Sequence, residues 1–303
     1  MKSQPAKQRR WWPMLGAAVV LIAAVVLFFH WWGGGAARFV EATAKQNDIR
    51  VRRNVPVSPE APALRVDLFV PTTGENLPIA AVLPGGGWNM GHKGLKAVQF
   101  LAGWLAERGV IGVAMDYRLI PAVSPTEQTR DVARGVAWLA LHATEFRGDP
   151  HRIFLVGHSA GAHLAALVAC DRRYLDKQGT SADVPAGIVA ISNVFDLRNT
   201  EHPLGSIAKR KITTVFRDAA TRELLSPLLY VQPGAPPFLI LHGMGDHLIA
   251  LDQGAAMVEA LHAAGTQAEF HDLPGRDHIG LFHNMDEPGD AAAEMTLAYI
   301  RDH

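Results

Sequence analysis

A serine between two glycines follows an apolar run near the middle of this sequence of 303 residues. The run "IFLV" (153–156) leads into "GHSAG" (157–161), and apolar residues resume directly afterwards. A strand, a sharp turn and a helix make up a nucleophile elbow, in which small neighbours let a strained serine project its hydroxyl group. Ser159 is therefore a candidate nucleophile, although an ordinary strand-to-helix turn can carry the same letters.

A histidine and a carboxylate must accompany such a serine, because its hydroxyl is a weak nucleophile until a base takes the proton. Asp246 follows the apolar run "FLILHG", and His278 follows the run "AEFHDL". The chain order of serine, aspartate and histidine is the one expected when each follows a strand of one sheet. The neighbours His247 and Asp277 are competing candidates, which we interpret as solvated loop residues.

Three consecutive glycines follow an earlier apolar stretch, in "VLPGGGWNMG" (82–91). Glycine backbones can turn their N–H groups towards the place where the negative oxygen of a tetrahedral intermediate forms. A plain glycine turn is the alternative. Because the loop stands where hydrolases of this arrangement supply oxyanion donors, we predict an oxyanion hole here.

The elements that must position these residues alternate from about residue 60, where short apolar runs are separated by helical patterns. This alternation predicts an α/β fold with a mostly parallel sheet and helices on both faces. The predicted strands are 64–70, 79–84, 110–117, 152–157, 187–192, 238–243 and 268–273. The predicted helices are 94–109, 126–145, 160–170, 252–264 and 289–301.

Residues 197–231 interrupt this alternation with an additional basic and apolar segment. We predict a cap-like insertion above the sheet rather than a separate domain. Leu204, Ile207, Val215 and Phe216 are candidates for lining a substrate pocket beneath it, although packing in the core explains these side chains nearly as well.

Composition excludes several classes of function. Lysine and arginine number 29, aspartate and glutamate also 29, so the net charge is zero and gives no basic surface for nucleic acid. Cys170 is the single cysteine, and the sequence contains no C-x-x-C pair. His158 and His163 are five residues apart and do not share a helix face. We therefore expect no metal, no cofactor and no nucleic-acid partner.

The segment "WWPMLGAAVVLIAAVVLFFHWW" (11–32) contains no lysine, arginine or acidic residue. Roughly 20 apolar residues at about 1.5 Å each span a bilayer core of about 30 Å, and tryptophan pairs stand at both ends. We predict a transmembrane anchor here. A cleaved signal peptide is the main alternative, because small residues follow in "GGGAA".

The anchor divides the chain into a basic flank (1–10), the membrane segment (11–32), a linker (33–59) and a catalytic domain (60–303). The flank is compact and purely positive, with Lys2, Lys7, Arg9 and Arg10. Since large downstream domains cross a membrane largely regardless of their charge, we expect a single-pass protein whose catalytic domain lies outside the cytoplasm. Signal cleavage would instead export a soluble protein.

The chain from about residue 60 to its end resembles the α/β-hydrolase-fold serine carboxylesterases that have a glycine-rich oxyanion motif. This group includes hormone-sensitive-lipase-like esterases, kynurenine formamidases and prenylcysteine methylesterases. The blocks that carry the resemblance are "PGGGW" (84–88), "DYRL" (116–119), "GHSAGAH" (157–163), "HGMGD" (242–246) and "DH" (277–278). The resemblance implies an α/β-hydrolase fold and an activity without a cofactor.

The resemblance also implies roles for individual residues. Ser159 is the nucleophile, Asp246 the acid and His278 the base. The backbone N–H groups of Gly86, Gly87 and Ala160 are the implied oxyanion donors.

Two further features of the sequence bear on the resemblance to this family. Members of the family usually have a histidine before the glycines, but Pro84 stands there and cannot brace the loop with a side-chain hydrogen bond. Asp116 and Arg118 resemble a structural pair behind the site, and we do not expect them to be catalytic.

We therefore expect a membrane-anchored serine hydrolase that cleaves a small-molecule carboxylic ester through an acyl-enzyme intermediate. Hydrolysis of a formamide or another activated amide is the first alternative, because the same three residues serve both reactions. A hydrolase fold that binds without catalysis is a second alternative.

Overall fold

One sheet of eight strands runs through residues 48–198 and 206–303, the part of the chain that this computed structural model describes. The strands are β1 (Ile49–Pro56), β2 (Arg65–Pro71), β3 (Leu77–Leu83), β4 (Ile111–Met115), β5 (Gly148–His158), β6 (Pro185–Ile191), β7 (Phe238–Gly243) and β8 (Ala268–Leu273). Their order across the sheet is β1-β2-β4-β3-β5-β6-β7-β8. The β1/β2 and β2/β4 pairs are antiparallel, whereas the other neighbouring pairs are parallel.

Helices cover both faces of the sheet. They are α1 (Lys96–Ala106), α2 (Pro125–His142), α3 (Ala160–Cys170), α4 (Arg173–Asp176), α5 (Ser206–Val215), α6 (Ala219–Leu224), α7 (Asp252–Ala263), α8 (Gly280–His283) and α9 (Ala291–Asp302). One hydrophobic core contains Val132 of α2 and Leu164 of α3, and the other contains Leu101 of α1 and Ile300 of α9. The predicted α/β architecture with a mostly parallel sheet is therefore confirmed.

Sequence explains why the central strand and its helix are deeply buried. Strand β5 ends in a continuous apolar run, as expected for a parallel strand with helices on both of its faces. Helix α3, which follows it, is composed largely of small and aliphatic residues, and all eleven are buried. The turn between β5 and α3 is thus fixed from both sides by packing.

The first strand lies inside segment 33–59, which we predicted to be a linker. Along β1, buried or half-buried residues alternate with exposed ones, and Arg50 and Arg52 point to solvent. Because β1 pairs with β2 at the edge of the sheet, charged residues are tolerated on its open face. The sheet thus begins before the predicted domain boundary at residue 60.

A buried polar cluster joins β1 to its surroundings. The Asp67 carboxylate on β2 accepts hydrogen bonds from Arg53 Nη1 at 3.0 Å, Asn54 N–H at 2.8 Å and Lys93 Nζ at 2.7 Å. Gln99 Nε2 of α1 donates to the same carboxylate at 3.1 Å. Burial raises the pKa of Asp67, but these donors outweigh it, so the pKa lies below its ordinary value.

The anchor predicted at residues 11–32 lies outside the described residues, as do residues 199–205 of the insertion. Among the helices within 48–198 and 206–303, none combines the length and the apolar character that a membrane span needs.

Candidate active site

The predicted site residues follow strands whose carboxyl ends lie side by side. Leu83 at the end of β3 is in register with Gly157 of β5, and Gly243 at the end of β7 is in register with Leu273 of β8. The loops that carry the glycines and the three predicted catalytic residues therefore all leave the sheet at the carboxyl ends of its parallel strands. In open parallel sheets this edge is the usual place for a ligand.

Ser159 occupies a strained backbone conformation, with φ 50° and ψ −117°. Its N–H donates to the carbonyl oxygen of Ile191 at 2.9 Å, which fixes the turn against β6. Gly157 and Gly161 leave no room for a side chain: a methyl group on Gly157 would lie 2.5 Å from the nitrogen of Ala162. The two glycines thus allow the sharp turn that aims the hydroxyl group away from the strand.

A chain of hydrogen bonds joins the three predicted catalytic residues. Ser159 Oγ lies 3.0 Å from His278 Nε2, and His278 Nδ1 lies 2.8 Å from Asp246 Oδ2. Because an ionised carboxylate only accepts, Nδ1 carries the proton and Nε2 is free to accept from the serine. The structure therefore brings together residues that are separated by up to 119 positions in sequence.

Both oxygens of the Asp246 carboxylate accept hydrogen bonds. Its Oδ1 accepts from the N–H groups of Leu248 and Ile249 at 2.8 and 2.9 Å. Burial raises the pKa of Asp246, but the hydrogen bond from His278 and those from the backbone together hold the pKa below its ordinary value. Asp246 thus stays ionised and fixes both the tautomer and the orientation of the imidazole.

The side chains of the two competing candidates, Asp277 and His247, do not take part in this chain of hydrogen bonds. Asp277 is exposed, and its Oδ1 accepts from the N–H groups of Ile279 and Gly280, where α8 begins. His247 is also exposed.

Two buried histidines support the site and were not assigned a role from sequence. His158 Nε2 donates to the carbonyl oxygen of His278 at 2.8 Å, and its ring stacks on Phe282. Burial, together with nearby His278, lowers the pKa of His158 to about 3, so it is a neutral donor. His242 Nε2 donates to the carbonyl oxygen of Ile249 at 2.9 Å. In the sequence, only their positions inside the motifs "GHSAG" and "HGMGD" could have indicated these supporting roles.

The glycine loop after β3 faces the serine. Gly86 and Gly87 have φ values of +133° and +55°, which residues with a side chain rarely adopt. Tyr117 Oη donates to the carbonyl oxygen of Pro84 at 2.9 Å. The loop is therefore braced through the backbone of Pro84, whose side chain cannot donate a hydrogen bond.

A second brace joins this loop to the insertion; we call it the Trp88 bridge. Trp88 Nε1 donates to His163 Nδ1 at 3.2 Å, and His163 Nε2 donates to the carbonyl oxygen of Leu225 at 2.7 Å. Trp88 also packs edge-on against Phe216 at 4.8 Å. Burial lowers the pKa of His163 to about 4, which keeps the bridge neutral.

A cavity of about 590 Å³ opens above Ser159 and His278, and α5 of the insertion forms its roof. Of the predicted lining residues, Ile207 does line it. Phe216 is instead fully buried against Trp88, and Val215 lines a separate cavity. Leu204 lies outside the described residues.

The predicted pair of Asp116 and Arg118 does not form. Asp116 Oδ1 accepts from the N–H of Lys93 at 2.6 Å, whereas Arg118 binds the buried carboxylate of Asp131 with Nε and Nη2 at 2.8 and 2.7 Å. Arg118 reaches α2 because a bidentate geometry with Asp131 is available there.

Comparisons with known proteins agree with this architecture. The chain is 28% identical over 249 residues to isoprenylcysteine alpha-carbonyl methylesterase of Arabidopsis thaliana, covering 77% of this chain and 57% of that protein. It is 31% identical over 233 residues to the probable carboxylic ester hydrolase LipM of Mycobacterium tuberculosis, covering 74% and 53%. The chain thus spans about half the length of the curated relatives it matches.

Solved structures show the same fold. An esterase from Pyrobaculum calidifontis superposes with a TM-score of 0.72 at 22% identity, covering 92% of this chain and 93% of that one. Thermogutta terrifontis esterase 2 gives 0.70 at 22% identity, covering 84% and 93%. The fold is therefore that of the α/β hydrolases. The sequence model of the BD-FAE family matches residues 66–261, more than half of the chain, and this chain belongs to that family of α/β hydrolases.

Proposed function

We propose that this protein is a serine hydrolase that cleaves carboxylic esters. The observation that carries the proposal is the hydrogen-bonded chain from Ser159 through His278 to Asp246 at the floor of the cavity. The ester hydrolases among the relatives of this chain, such as LipM, support the same reaction class.

In the first half of the reaction, Ser159 Oγ attacks the ester carbonyl carbon and its proton passes to His278 Nε2. The carbonyl oxygen becomes negative and accepts from the N–H groups of Gly86, Gly87 and Ala160. When the tetrahedral intermediate collapses, the bond to the alcohol oxygen breaks and His278 returns the proton to that oxygen. The alcohol leaves, and Ser159 holds the acyl group.

In the second half, water attacks the acyl carbon and gives a proton to His278 Nε2. The bond to Ser159 Oγ then breaks, the carboxylic acid leaves, and Ser159 regains its proton. Asp246 stabilises the imidazolium that forms in each half, because its ionised carboxylate lies 2.8 Å from Nδ1.

A fluorophosphonate probe tests the nucleophile. We expect labelling of Ser159, and the Ser159→Ala variant should keep its fold by circular dichroism while losing labelling and ester turnover by a factor of about 10⁵ or more. Labelling at another residue, or full turnover in the variant, would overturn the assignment.

A substrate panel separates the alternatives. p-Nitrophenyl esters of graded acyl length are compared with N-formyl amides, and esters should give the higher kcat/KM. Preference for the formamides would identify an amide hydrolase, and binding without turnover of either would identify a non-catalytic module.

We further propose that residues 11–32 anchor the protein in a membrane, with the catalytic domain outside the cytoplasm. The full chain should sediment with membranes and resist extraction by carbonate. A soluble protein whose N-terminal residues are missing by mass spectrometry would show a cleaved signal peptide instead.

A further inference from the structure

The charged side chains that line the active-site cavity are positive. Arg210 and Lys211 of α5 face it, whereas no aspartate or glutamate of the described residues lines it. Most of the remaining wall is apolar, including Val194, Ile212 and Leu248. The half-buried charge of Lys211 in a largely apolar wall needs a physical reason, because burial of charge is unfavourable without a partner.

Lys211 lies directly over the glycine loop. A methyl group on Gly87 would lie 2.5 Å from Lys211 Cε, so the lysine side chain crosses the loop at van der Waals distance. Its Nζ donates to the side-chain oxygen of Asn89. The ammonium group therefore lies beside the predicted oxyanion donors, in the wall of the cavity.

Neither cation has a counter-charge among the described residues. Lys211 is half-buried, and burial lowers its pKa, because only the neutral amide of Asn89 compensates for lost water. Arg210 is exposed and forms no ion pair with a described carboxylate. Positive charge thus extends from inside the cavity towards its mouth.

Two other arginines of the insertion have protein partners. Arg198 pairs with Asp196 at 2.9 Å, and Arg222 donates to the carbonyl oxygen of Phe216 at 2.8 Å. Structural roles account for these two side chains. No comparable ion pair or backbone contact with a described residue accounts for the charges of Lys211 and Arg210, which line the cavity that a substrate would fill.

We propose that the ester accepted by this site carries a carboxylate group, which binds Lys211 and Arg210 while the ester carbonyl lies against Ser159. This inference rests on the proposed function and specifies its substrate class. The two oxygens of a carboxylate match one ammonium and one guanidinium donor, and the aliphatic wall holds the chain that joins the carboxylate to the ester.

Matched ester pairs test the proposal on either side of the scissile bond. On the acyl side, the mono-p-nitrophenyl ester of glutaric acid is compared with p-nitrophenyl valerate. On the alcohol side, 3-carboxyphenyl butyrate is compared with 3-methylphenyl butyrate. The measurement is the ratio of kcat/KM for the anionic ester to that for the neutral ester, corrected for spontaneous hydrolysis.

We expect this ratio to exceed one for at least one pair and to fall about tenfold in Lys211→Gln. It should fall further when Arg210→Gln is added, and Lys211→Arg should retain most of it. Arg217→Gln is the matched control, because Arg217 lies on the insertion but does not line this cavity. A ratio of one or less for both pairs, or an equal fall in the control, would overturn the proposal.

Binding to Ser159→Ala separates this inference from the proposed function. Calorimetry gives the dissociation constants of the glutarate ester and of the valerate ester without turnover, and the glutarate ester should bind more tightly in a Lys211-dependent way. If wild type hydrolyses no ester but this preference is found, the function fails and the inference stands. If neutral esters are hydrolysed through Ser159 without any preference for the anion, the inference fails and the function stands.

Discussion

The floor and the roof of the active-site cavity are built in different ways. On the floor, Ser159, His278 and Asp246 follow strands of the sheet. Ser159 is hydrogen-bonded to β6, His278 to His158 of β5, and Asp246 to backbone N–H groups of its own loop.

On the roof, the Trp88 bridge and the contact of Lys211 with Asn89 join α5 and the residues after it to the rest of the domain. Apolar side chains of the same segment also pack into the core, among them Ile212, Phe216 and Leu225. Hydrogen bonds at the strand ends thus hold the floor, whereas the roof is a helical insertion that packs onto the core.

We therefore expect the floor and the roof to have different functions. A site that stabilises a transition state must be held to within a fraction of an ångström, and the strand ends provide this precision. Selectivity needs only a wall of suitable shape and charge, which an insertion between β6 and β7 can change without disturbing the sheet. Changes on the floor should therefore affect chemistry for every ester, and changes on the roof should affect the choice among esters.

The largest effect after loss of Ser159 or of His278 should come from Asp246→Asn on the floor. An amide can stabilise the wrong imidazole tautomer and offers no charge to the imidazolium, so kcat/KM should fall by a factor of about 10³ to 10⁴ for all esters. Asp246→Asn combined with His278→Ala should be scarcely worse than His278→Ala alone, because the residues act as one unit.

Asp277→Asn is the matched control for that experiment. Its carboxylate accepts only from N–H groups at the start of α8, so the loss should stay below about tenfold. A larger loss at Asp277 than at Asp246, or additive losses in the double variant, would contradict our choice of acid.

Trp88→Phe should have an intermediate effect, because it breaks the bridge between floor and roof. The buried His163 Nδ1 would lose its donor, which should lower the free energy of unfolding by about 1–3 kcal/mol. The loosened glycine loop should also reduce kcat/KM by roughly tenfold. Urea denaturation and ester kinetics measure the two effects.

Trp138→Phe provides the comparison, since Trp138 on α2 stacks near Phe146 away from the cavity. Its kcat/KM should stay within about twofold of wild type. Equal kinetic losses in both variants would show that the bridge has no special connection to the site.

The smallest effect on turnover at neutral pH should accompany a gradual loss of stability in acid. His158 under the floor and His163 in the bridge have pKa values of about 3 and about 4, well below that of a histidine in the unfolded chain. As the pH falls below about 6.5, the unfolded chain takes up protons that the folded protein excludes. The free energy of unfolding should therefore fall by up to about 1.4 kcal/mol per pH unit for each histidine, down to about pH 4.

Urea denaturation between pH 7 and pH 4.5 measures this slope. If floor and roof unfold together, His158→Gln and His163→Gln should each reduce the slope by a similar amount. A reduction in His158→Gln alone would show that the roof opens separately before the sheet unfolds. No reduction in either variant would contradict the assignment of buried neutral histidines.

Local sequence patterns predicted the elements that hold the floor. Ser159, Asp246 and His278 each follow an apolar run, and a parallel sheet brings such run ends to one edge. Seven of the eight strands were predicted for the same reason. Strand β1 was missed because an edge strand rich in arginine has the composition of a linker.

Long-range side-chain partners were beyond such patterns. Trp88 and His163 are 75 residues apart, and nothing in either neighbourhood indicates that a ring nitrogen of one meets the other. The family resemblance paired Arg118 with Asp116, but helix α2 presents Asp131 to Arg118 in a bidentate geometry. Choices of this kind depend on the packed positions of whole elements, which a single sequence does not reveal.

The buried polar cluster around Asp67 has a consequence for where this chain can be shortened. Trimming to residue 60 would remove Arg53 and Asn54, and with them two of the donors that stabilise a nearly inaccessible carboxylate. It would also uncover the backbone of β2, an apolar strand that could then pair with strands of other molecules and aggregate. A well-behaved fragment for crystallisation or assay must therefore begin upstream of Ile49, and a protease that nicks the chain just after β1 should release an aggregating rather than an active product.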